Sequence, residues 1–317
     1  MAFEHVPVMS REVVELLTPV PAGVLIDATV GGGGHARVVL EARPDLELLG
    51  IDRDAAAVAA SRERLAGFGG RVRIARGGFE DIGEIATTNG IDEGTVVGIV
   101  FDLGVSSPQL DRPERGFSYW SEAPLDMRMD SAQELTAADV VNNYSEQQLA
   151  DLIARNGEER FAGRIARRIV AKRPLRTTAD LVDAVKEAIP APARRRGGHP
   201  ARRTFQAIRM EVNQEVPNLA AGLEESVHLL APGGRALVLA YHSLEDRMVK
   251  ERFASLAGRA PTGPARPLPV PDVAEPGFRL LTRRPLRPSP EEVTANPRAA
   301  SARLRGLERV PTDRAAR

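Results

Sequence analysis

Short apolar runs alternate with amphipathic, helix-favouring stretches along roughly the first hundred residues of the chain. Ser10 is in position to cap a first helix, and Ala55–Leu65 has the composition of another. Strands that alternate with helices indicate a parallel, doubly wound α/β sheet. The runs that predict its first strands are Val24–Asp27, Leu46–Asp52, Arg71–Ala75 and Val96–Leu103.

The alternation stops after the fourth predicted strand. Residues 137–189 have helical periodicity, and Glu158–Ala171 is predicted to form one of the helices. Pro190–Pro200 is rich in proline, glycine and arginine, and it predicts a basic loop. We therefore expect a mostly helical inserted domain over residues 110–203.

The sheet pattern returns after the insertion. Thr204–Leu230 has helical periodicity, and a Pro-Gly-Gly turn leads from it into the next apolar run. The strands predicted here are Arg235–Tyr241, Phe278–Thr282 and Leu304–Arg309. Residues 1–109 and 204–317 are thus expected to form one discontinuous domain around a single sheet.

A glycine-rich turn follows the first strand. Val24–His35 reads VLIDATVGGGGH and joins a strand that ends in Asp27 to a helix. Glycines such as Gly33 and Gly34 let the backbone approach a ligand closely, and a helix N-terminus favours an anionic or polar one. The second strand ends in Asp52, 18 residues after Gly34, where an acid suits a ribose diol. These features predict a nucleoside-cofactor site; the alternative is a glycine-rich turn in an ordinary α/β protein.

Polar and aromatic side chains follow the carboxyl ends of the predicted strands. Asp27, Asp52, Phe79 and Asp102 lie at or near such ends, which form the ligand-binding edge of a doubly wound sheet. The Phe79 ring is suited to stack on adenine, although a place in the core explains it equally well. His35 begins a helix beside the glycines, where it either contacts the cofactor or only fills the helix start.

The fourth strand runs into Ser107 and Pro108. This step resembles the Asp/Asn/Ser-Pro-Pro-aromatic turn of amino-group methyltransferases, without its second proline and its aromatic residue. An exocyclic amine of cytosine is a weak nucleophile because its lone pair is delocalised into the ring. Two acceptors that bind its N–H groups therefore favour in-line attack on a sulfonium methyl group. Ser107 and the carbonyl of Pro108 are the candidate catalytic acceptors; the alternative is that Pro108 only shapes the turn.

The fifth predicted strand ends beside His242 and Ser243. At the ligand-binding edge of the sheet these side chains are placed to contact a target nucleotide. Ser243 and Asp246 also have the spacing of a capping box, so Ser243 is expected mainly to cap the next helix. His242 is predicted to be a site residue.

Charge is distributed unevenly, although the 43 basic and 43 acidic residues balance. Arg160–Arg209 contains 14 Lys and Arg against 3 Asp and Glu, a local net charge of +11. Such a block indicates a surface that binds a polyanion; a solvated helical face is the alternative. Arginines near aromatic rings suit phosphate contact and base stacking in unpaired RNA. The candidate substrate contacts are Arg115, Phe117, Trp120, Arg194, Arg195, Arg196 and Arg203.

The chain has no cysteine, which excludes disulfides, thiolate catalysis and cysteine-ligated zinc. No cluster of His with Asp or Glu has metal-ligand spacing along the sequence, so no metal is expected. The first residues lack a signal-peptide pattern, and no apolar run approaches the roughly 20 residues that span a bilayer. We expect a soluble cytoplasmic protein without a membrane partner, and the sequence leaves open whether it forms a homodimer.

Long motifs, in order along nearly the whole chain, resemble those of the bacterial MraW/RsmH-type 16S rRNA (cytosine-N4)-methyltransferase family. They include DATVGGGGHA, DLGVSSPQLDRPERGFSYW, NGEERFAGRIARRIV, RRTFQAIRMEVNQE and LAPGGRALVLAYHSLEDRMVK. The resemblance implies a Rossmann-like sheet with a helical insert that uses S-adenosyl-L-methionine (AdoMet). It also implies methylation of the exocyclic N4 of a cytidine in 16S rRNA of the small ribosomal subunit, at position 1402 in the usual rRNA numbering.

The resemblance also implies roles for residues at matching motif positions. Asp52 suits the ribose and Phe79 the adenine, whereas Asp102 and Gln109 suit the methionine-side groups. Departures from the family pattern are small: Ala36 stands where serine is common, and Ala240–Tyr241 replaces Ser-Phe. The implied cofactor contacts are Gly33, Gly34, His35, Asp52, Phe79, Asp102 and Gln109.

The residues alone leave three other functions open. One is methylation of cytosine in DNA instead of RNA. Another is an NAD-linked oxidoreductase on a similar sheet, which the glycine spacing disfavours because it is not G-x-G-x-x-G. The third is a non-catalytic RNA-binding assembly factor, which would bind RNA without AdoMet and form no methylated product.

Overall fold

The computed structural model of the chain describes residues 7–104, 112–194, 198–259 and 277–311. The chain divides into two compact units. Unit 1 consists of Met1–Gly104 and Pro217–Arg317, and unit 2 consists of Val105–Val216. None of the described helices combines the length and the apolar composition that a bilayer-spanning segment needs.

Unit 1 is built on a seven-stranded sheet with the order β3-β2-β1-β4-β5-β7-β6. Strands β1 to β5 are parallel, and β7 runs antiparallel to both β5 and β6. The predicted doubly wound sheet is confirmed, including its two short last strands. The strands are β1 (Gly23–Asp27), β2 (Leu46–Asp52), β3 (Val72–Arg76), β4 (Val96–Asp102), β5 (Leu230–Ala240), β6 (Phe278–Leu280) and β7 (Arg303–Arg309).

The helices of both units are numbered along the chain. They are α1 (Ser10–Leu17), α2 (Gly34–Ala42), α3 (Ala55–Leu65), α4 (Ile82–Thr88), α5 (Ala137–Asn143), α6 (Glu146–Gly157), α7 (Ala162–Ala171), α8 (Thr178–Ala188), α9 (Ala191–Arg194), α10 (Arg202–Val212), α11 (Glu215–Leu229), α12 (Ser243–Leu256) and α13 (Pro290–Ala295).

The sheet of unit 1 is buried on both faces. Leu25 and Ile26 are neighbours on β1 but belong to different clusters of buried side chains. One cluster includes side chains of α1, α2 and α3, and the other includes side chains of α4, α11 and α12. Burial on both faces explains why β4 is a near-continuous apolar run rather than an alternating one.

The strand order places a ligand-binding crevice at the carboxyl ends of β1 and β4. From β1 the chain passes outward through β2 to β3, and it then returns to the other side of β1 as β4. In doubly wound sheets the crevice lies at this reversal, because the connections on its two sides leave in opposite directions.

The start of α1 differs from the prediction. Ser10 is the first residue of the helix, and the capping position is taken by Met9, which has φ of 52° and no capping side chain. The Met9 N–H donates instead to Oε1 of Glu292, 2.7 Å away. A carboxylate from the far end of the chain thus binds the residue that precedes the helix, and Ser10 does not act as the cap.

Unit 2 packs its helices around one core. Ile153 of α6, Ile165 of α7 and Val185 of α8 are all fully buried in it. The predicted helix 158–171 begins later, at Ala162, because Glu158 ends α6 in a left-handed conformation with φ of 50°. An amphipathic pattern extends through this break, so periodicity alone did not reveal it.

The region between α8 and α11 also differs in detail. Ala191–Arg194 is a short helix within the predicted loop. The predicted helix 204–230 is two helices, interrupted at Gln214, which has φ of 52°. Phe205 and Ile208 of α10 lie in the core of unit 2, so that unit continues to Val216, whereas the sequence pattern placed the boundary after residue 203.

Candidate active site

The glycine turn joins β1 to α2 in two left-handed steps. Gly31 has φ of 51° and Gly33, the residue before α2, has φ of 76°. A Cβ on Gly33 would lie 3.2 Å from Cγ of Leu65, whereas a Cβ on Gly32 would have no atom within 4 Å. Gly33 is therefore required by conformation and packing, and Gly32 lies on the open side of the turn.

Asp52 ties the end of β2 to this turn. Its Oδ2 accepts a hydrogen bond from the Gly31 N–H and its Oδ1 accepts one from the Asp54 N–H, both at 2.9 Å. Burial raises the pKa of Asp52, and these two N–H groups act against that rise. Each carboxylate oxygen keeps a second lone pair, so the fixed carboxylate is able to accept two further hydrogen bonds.

Phe79 begins the turn after β3, and its ring is half-buried. The ring meets Phe101 edge-to-face with centroids 5.7 Å apart, and the Arg53 guanidinium lies 5.7 Å from its centroid. A Cβ on Gly222 of α11 would lie 2.9 Å from Cδ2 of Phe79. The ring thus packs against the core on one side. Because Gly222 has no side chain, α11 leaves room for the ring in this position.

Asp102 ends β4 and is held by three elements. Its backbone N–H donates to Oγ1 of Thr29 at 2.6 Å, and the Tyr241 hydroxyl donates to its Oδ1 at 2.7 Å. Nδ1 of His35 lies 3.4 Å from its Oδ2. Burial and the neighbouring Asp102 charge raise the pKa of Tyr241, so its hydroxyl keeps its proton and acts as a donor.

His35 lies in the first turn of α2, and its side chain is buried. Its Nε2 is 2.8 Å from the carbonyl oxygen of Val8. Because a carbonyl only accepts, we assign a proton to Nε2. The His35 side chain therefore connects the segment before α1 to the Asp102 carboxylate, which is more than a filler of the helix start.

Asp27, at the end of β1, is only 2% exposed. Its Oδ1 accepts a hydrogen bond from the Thr29 N–H at 3.2 Å. Desolvation raises its pKa to about 7, whereas the charge of His35 acts in the opposite direction. Three carboxyl groups, those of Asp27, Asp52 and Asp102, thus follow adjacent strands, and those that are ionised give this edge of the sheet a negative potential that favours a cationic ligand.

The capping role expected of Ser243 belongs to His242. Nδ1 of His242 accepts from the Glu245 N–H at 3.4 Å, and Ser243 is the first residue of α12. Asp246, the expected partner of Ser243, instead binds Arg303 at 2.9 Å and Arg305 at 2.7 Å. Burial disfavours its charge, but the two arginines lower the pKa of Asp246 overall. The capping-box prediction was wrong because His242 precedes the helix as its cap, and Asp246 is engaged by two arginines of β7.

Two of the candidate substrate contacts in unit 2 have internal roles. Phe117 is 6% exposed and lies in the core of the unit. The Arg115 guanidinium donates to the carbonyls of Arg128 and Met129 at 2.9 and 3.0 Å. Both side chains stabilise the loop that carries them, so we do not retain them as substrate contacts.

Other candidates in unit 2 face solvent. Trp120 is 77% exposed, and Arg194 at the end of α9 is also exposed. The Arg203 guanidinium donates to the Glu158 carbonyl at 3.2 Å, with 56% of its side chain accessible. Five predicted residues lie outside the described residues: Ser107, Pro108, Gln109, Arg195 and Arg196.

Sequence reasoning missed Thr29, Gly222 and Tyr241. Each acts on a predicted residue through a contact between distant segments: Tyr241 is 139 residues from Asp102, and Thr29 is 73 residues from it. Only Tyr241 carried a signal, since it precedes His242 at a strand end and stands where the resembling family commonly has phenylalanine.

The carboxyl ends of neighbouring strands carry a glycine turn, a carboxylate suited to a ribose and an aromatic ring. Rossmann-like methyltransferases that use AdoMet have this arrangement, and the chain is of this class. The chain belongs to the MraW methylase family, whose model matches residues 2–310. The expected family and the expected cofactor are confirmed.

Curated relatives are similar over almost the whole chain, and each carries the name ribosomal RNA small subunit methyltransferase H. The protein of Mycobacterium sp. (strain KMS) is 52% identical over 98% of this chain and 85% of its own length. That of Thermobifida fusca is 52% identical over 96% of this chain and 93% of its own length. That of Symbiobacterium thermophilum is 49% identical over 98% of both chains.

Proposed function

We propose that this chain methylates 16S rRNA of the small ribosomal subunit, transferring the methyl group of AdoMet to the exocyclic N4 of the cytidine at position 1402 in the usual numbering. The observation that carries the proposal is 52% identity, over 98% of the chain, to a protein named ribosomal RNA small subunit methyltransferase H. The choice of cytidine N4 follows from the family resemblance of the motif that contains Ser107 and Pro108.

The residues at the carboxyl edge fit AdoMet. Asp52 is fixed by two backbone N–H groups and retains free lone pairs for the ribose hydroxyls. The half-exposed Phe79 ring suits the adenine, and Gly33 and Gly34 bring backbone close to the ligand. When bound, AdoMet supplies an electrophilic methyl group on a sulfonium cation. The negative potential of Asp52 and Asp102, with a partial contribution from Asp27, favours that cation.

Asp102 suits the ammonium group of the methionine part of AdoMet. Its side chain is 28% exposed, and its carboxylate is oriented by Tyr241 and His35. The His35 side chain is engaged by Val8 and Asp102, so His35 is proposed to contact the cofactor through its backbone N–H. Gln109, which we assign to the same end of the cofactor, lies outside the described residues.

Ser107 and the carbonyl of Pro108 are proposed to accept the two N–H bonds of the cytidine amine. Both acceptors favour a more tetrahedral nitrogen, whose lone pair is then free for in-line attack. The amine proton leaves to water after transfer. His242 and Ser243 stay candidates for contact with the target nucleotide, although the His242 imidazole also caps α12.

The proposed RNA-binding surface belongs to unit 2. The exposed Arg194 and Arg203, with Arg195 and Arg196, supply positive charge for phosphates. The segment Arg160–Arg209 has a net charge of +11, which adds a long-range attraction for RNA.

The proposal is tested by nucleoside analysis of 16S rRNA from a strain that lacks this gene. Complementation with the wild-type gene is expected to restore N4-methylated cytidine at the target position, and complementation with Asp52→Ala is not. A methyl group restored on another atom or on another nucleotide would refute the assignment of the target. Methylated cytosine in DNA instead of rRNA would show that the substrate is DNA.

A further inference from the structure

Trp120 is the only tryptophan of the chain, and its side chain is 77% exposed. Among the described residues, Leu286 is the only other exposed large hydrophobic side chain, at 38%. An indole left in water forgoes a large gain from burial, and such rings are commonly found where a partner covers them. Trp120 therefore requires a functional explanation that the fold of unit 2 does not supply.

The Trp120 ring is not isolated on the surface. Its centroid lies 4.8 Å from that of His199 and 5.4 Å from that of Tyr119. Tyr119 stacks on His199 with centroids 4.6 Å apart and an interplanar angle of 11°. We call Tyr119, Trp120 and His199 the aromatic platform. Three rings from two distant segments thus form one cluster, in which the Trp120 ring is tilted by 50° to Tyr119 and by 58° to His199.

The aromatic platform is anchored to the interior of unit 2. Tyr119 meets Phe205 edge-to-face at 5.7 Å, and Phe205 is buried in the core. The Trp120 backbone N–H donates to Oγ of Ser118 at 3.2 Å, and Nδ1 of His199 accepts from the Ala201 N–H at 3.3 Å. These contacts hold the Tyr119 and His199 rings and the Trp120 backbone before any partner binds, which reduces the entropic cost of stacking.

Cations lie close to the aromatic platform along the chain, and Lys186 acts on one of its rings. Burial and the charge of Lys186 lower the pKa of His199, so its imidazole is neutral at pH 7 and stacks as an uncharged ring. The exposed Arg194, Arg202 and Arg203 belong to the same basic segment. An exposed indole close to cations matches a nucleobase attached to a phosphate backbone better than it matches an apolar protein surface.

We propose that the aromatic platform stacks an unpaired nucleobase of the RNA substrate, with the base lying on the Trp120 ring. The proposal rests on the proposed RNA substrate and adds the place and the mode of its recognition. A base in a duplex is already covered on both faces, so only an unpaired base has a free π face for the indole. Stacking tolerates any base, and the aromatic platform therefore contributes affinity rather than sequence specificity.

The single tryptophan makes a direct test available. The full-length protein is titrated with a single-stranded RNA oligonucleotide that covers the target region, and binding is followed by anisotropy of a label on the RNA and by indole emission. We expect saturable quenching of the emission with the same midpoint as the anisotropy change. A perfect duplex of the same sequence is expected to change the anisotropy without comparable quenching.

Variants separate stacking from general surface effects. Trp120→Ala is expected to weaken binding of the single-stranded RNA roughly 5-fold or more, and Trp120→Phe to retain most of the affinity because a ring remains. Leu286→Ala removes an exposed apolar side chain from unit 1 and is expected to leave affinity unchanged. Thermal unfolding of each variant verifies that it is folded.

RNA binding by anisotropy with unchanged indole emission would overturn the aromatic platform, as would equal quenching by the duplex. Either result leaves the proposed methyltransferase function in place, because methyl transfer to small ribosomal subunits is measured separately. Absence of both RNA binding and methyl transfer would overturn both proposals.

Discussion

At the scale of single residues, the Asp102 carboxylate is held at both of its oxygens. Tyr241 donates to one oxygen, Nδ1 of His35 faces the other, and Thr29 accepts from its backbone N–H. A carboxylate held in this way needs no reorientation to bind a cationic group, such as the ammonium group that we propose for Asp102. Such preorganisation lowers the entropic cost of binding.

Tyr241→Phe is expected to weaken AdoMet binding roughly 3- to 10-fold, because the Asp102 carboxylate loses a donor that fixes its orientation. Calorimetric titration with AdoMet measures the effect. Tyr144→Phe is the matched control, since it removes a tyrosine–carboxylate hydrogen bond of 2.9 Å to Glu211 within unit 2. An unchanged Kd in Tyr241→Phe would remove the positioning role of the hydroxyl.

Asp27 makes stability depend on pH. Desolvation raises its pKa to about 7, whereas an unfolded chain releases this proton near pH 4. Between about pH 4 and about pH 7 the folded protein therefore binds more protons than the unfolded chain, and the stability contributed by Asp27 falls as pH rises. His35, Asp52 and Asp102 act on the same carboxyl group through their charges.

Asp27→Asn removes this dependence. The free energy of unfolding of the variant minus that of the wild type is expected to rise with pH between about 4 and about 7, by up to about 1.4 kcal/mol per pH unit. Urea-induced unfolding at several pH values across this window measures it. A difference that does not change with pH would contradict the raised pKa.

Which site residues the sequence predicts depends on how they interact. Asp52 follows from its distance to the glycine turn, and Phe79 and Asp102 follow from strand ends, because in each case local order along the chain sets the position. The pairing of Tyr241 with Asp102 depends on the register between β4 and β5, which no local pattern contains.

At the scale of elements, α11 packs unusually closely against the turn after β3. A Cβ on Gly222 would lie 2.8 Å from the Phe79 carbonyl oxygen and 2.9 Å from Cδ2 of its ring. Glycine inside a helix is unfavourable by about 1 kcal/mol relative to alanine. The helix tolerates this cost because the residue gives the Phe79 ring its place.

Gly222→Ala is expected to displace the Phe79 ring, lowering stability by about 1–3 kcal/mol and weakening AdoMet binding. Gly163→Ala in α7 is the matched control, since a Cβ there would have no atom within 4 Å and should stabilise by up to about 1 kcal/mol. Denaturant unfolding and AdoMet titration check both. If the Gly222→Ala protein is as stable as the wild type and binds AdoMet with unchanged affinity, the close contact with Gly222 does not determine the position of the Phe79 ring.

The basic segment between α8 and α10 provides a prediction for RNA binding. Replacing Arg194, Arg195 and Arg196 together by alanine is expected to weaken binding of single-stranded RNA. The salt slope is expected to fall by about 0.7 for each phosphate that these arginines neutralise in the wild type. A triple alanine variant of Arg11, Arg283 and Arg284 in unit 1 matches the change in charge. Undiminished binding with an unchanged slope would refute a phosphate-binding role.

The strands were predictable from the sequence to a greater extent than the helix ends. A strand buried on both faces appears as an apolar run, and β4 is an example. The starts of α1 and α12 depend on Glu292 and His242, and the break before α7 depends on the conformation of Glu158. The Glu292 contact is tertiary, whereas His242 and Glu158 act locally through a residue type and a backbone conformation that the preference for Ser at a helix start does not predict.

At the scale of the whole molecule, the sheet of unit 1 is assembled from two separate parts of the chain. β4 and β5 are hydrogen-bonded neighbours although all of unit 2 lies between them in the sequence. The pattern of apolar runs predicted such a discontinuous arrangement. The end of the insertion was harder to place, because the packing of α10 residues such as Phe205 and Ile208 assigns this helix to unit 2.

The most direct measurement is transfer of labelled methyl from AdoMet, by the purified chain, to small ribosomal subunits from cells that lack this gene, followed by nucleoside analysis. We expect the label in N4-methylated cytidine of 16S rRNA, with Asp52→Ala strongly reduced at limiting AdoMet. AdoMet binding without any label on the subunits or their rRNA would keep the fold and the cofactor site but contradict the proposed reaction.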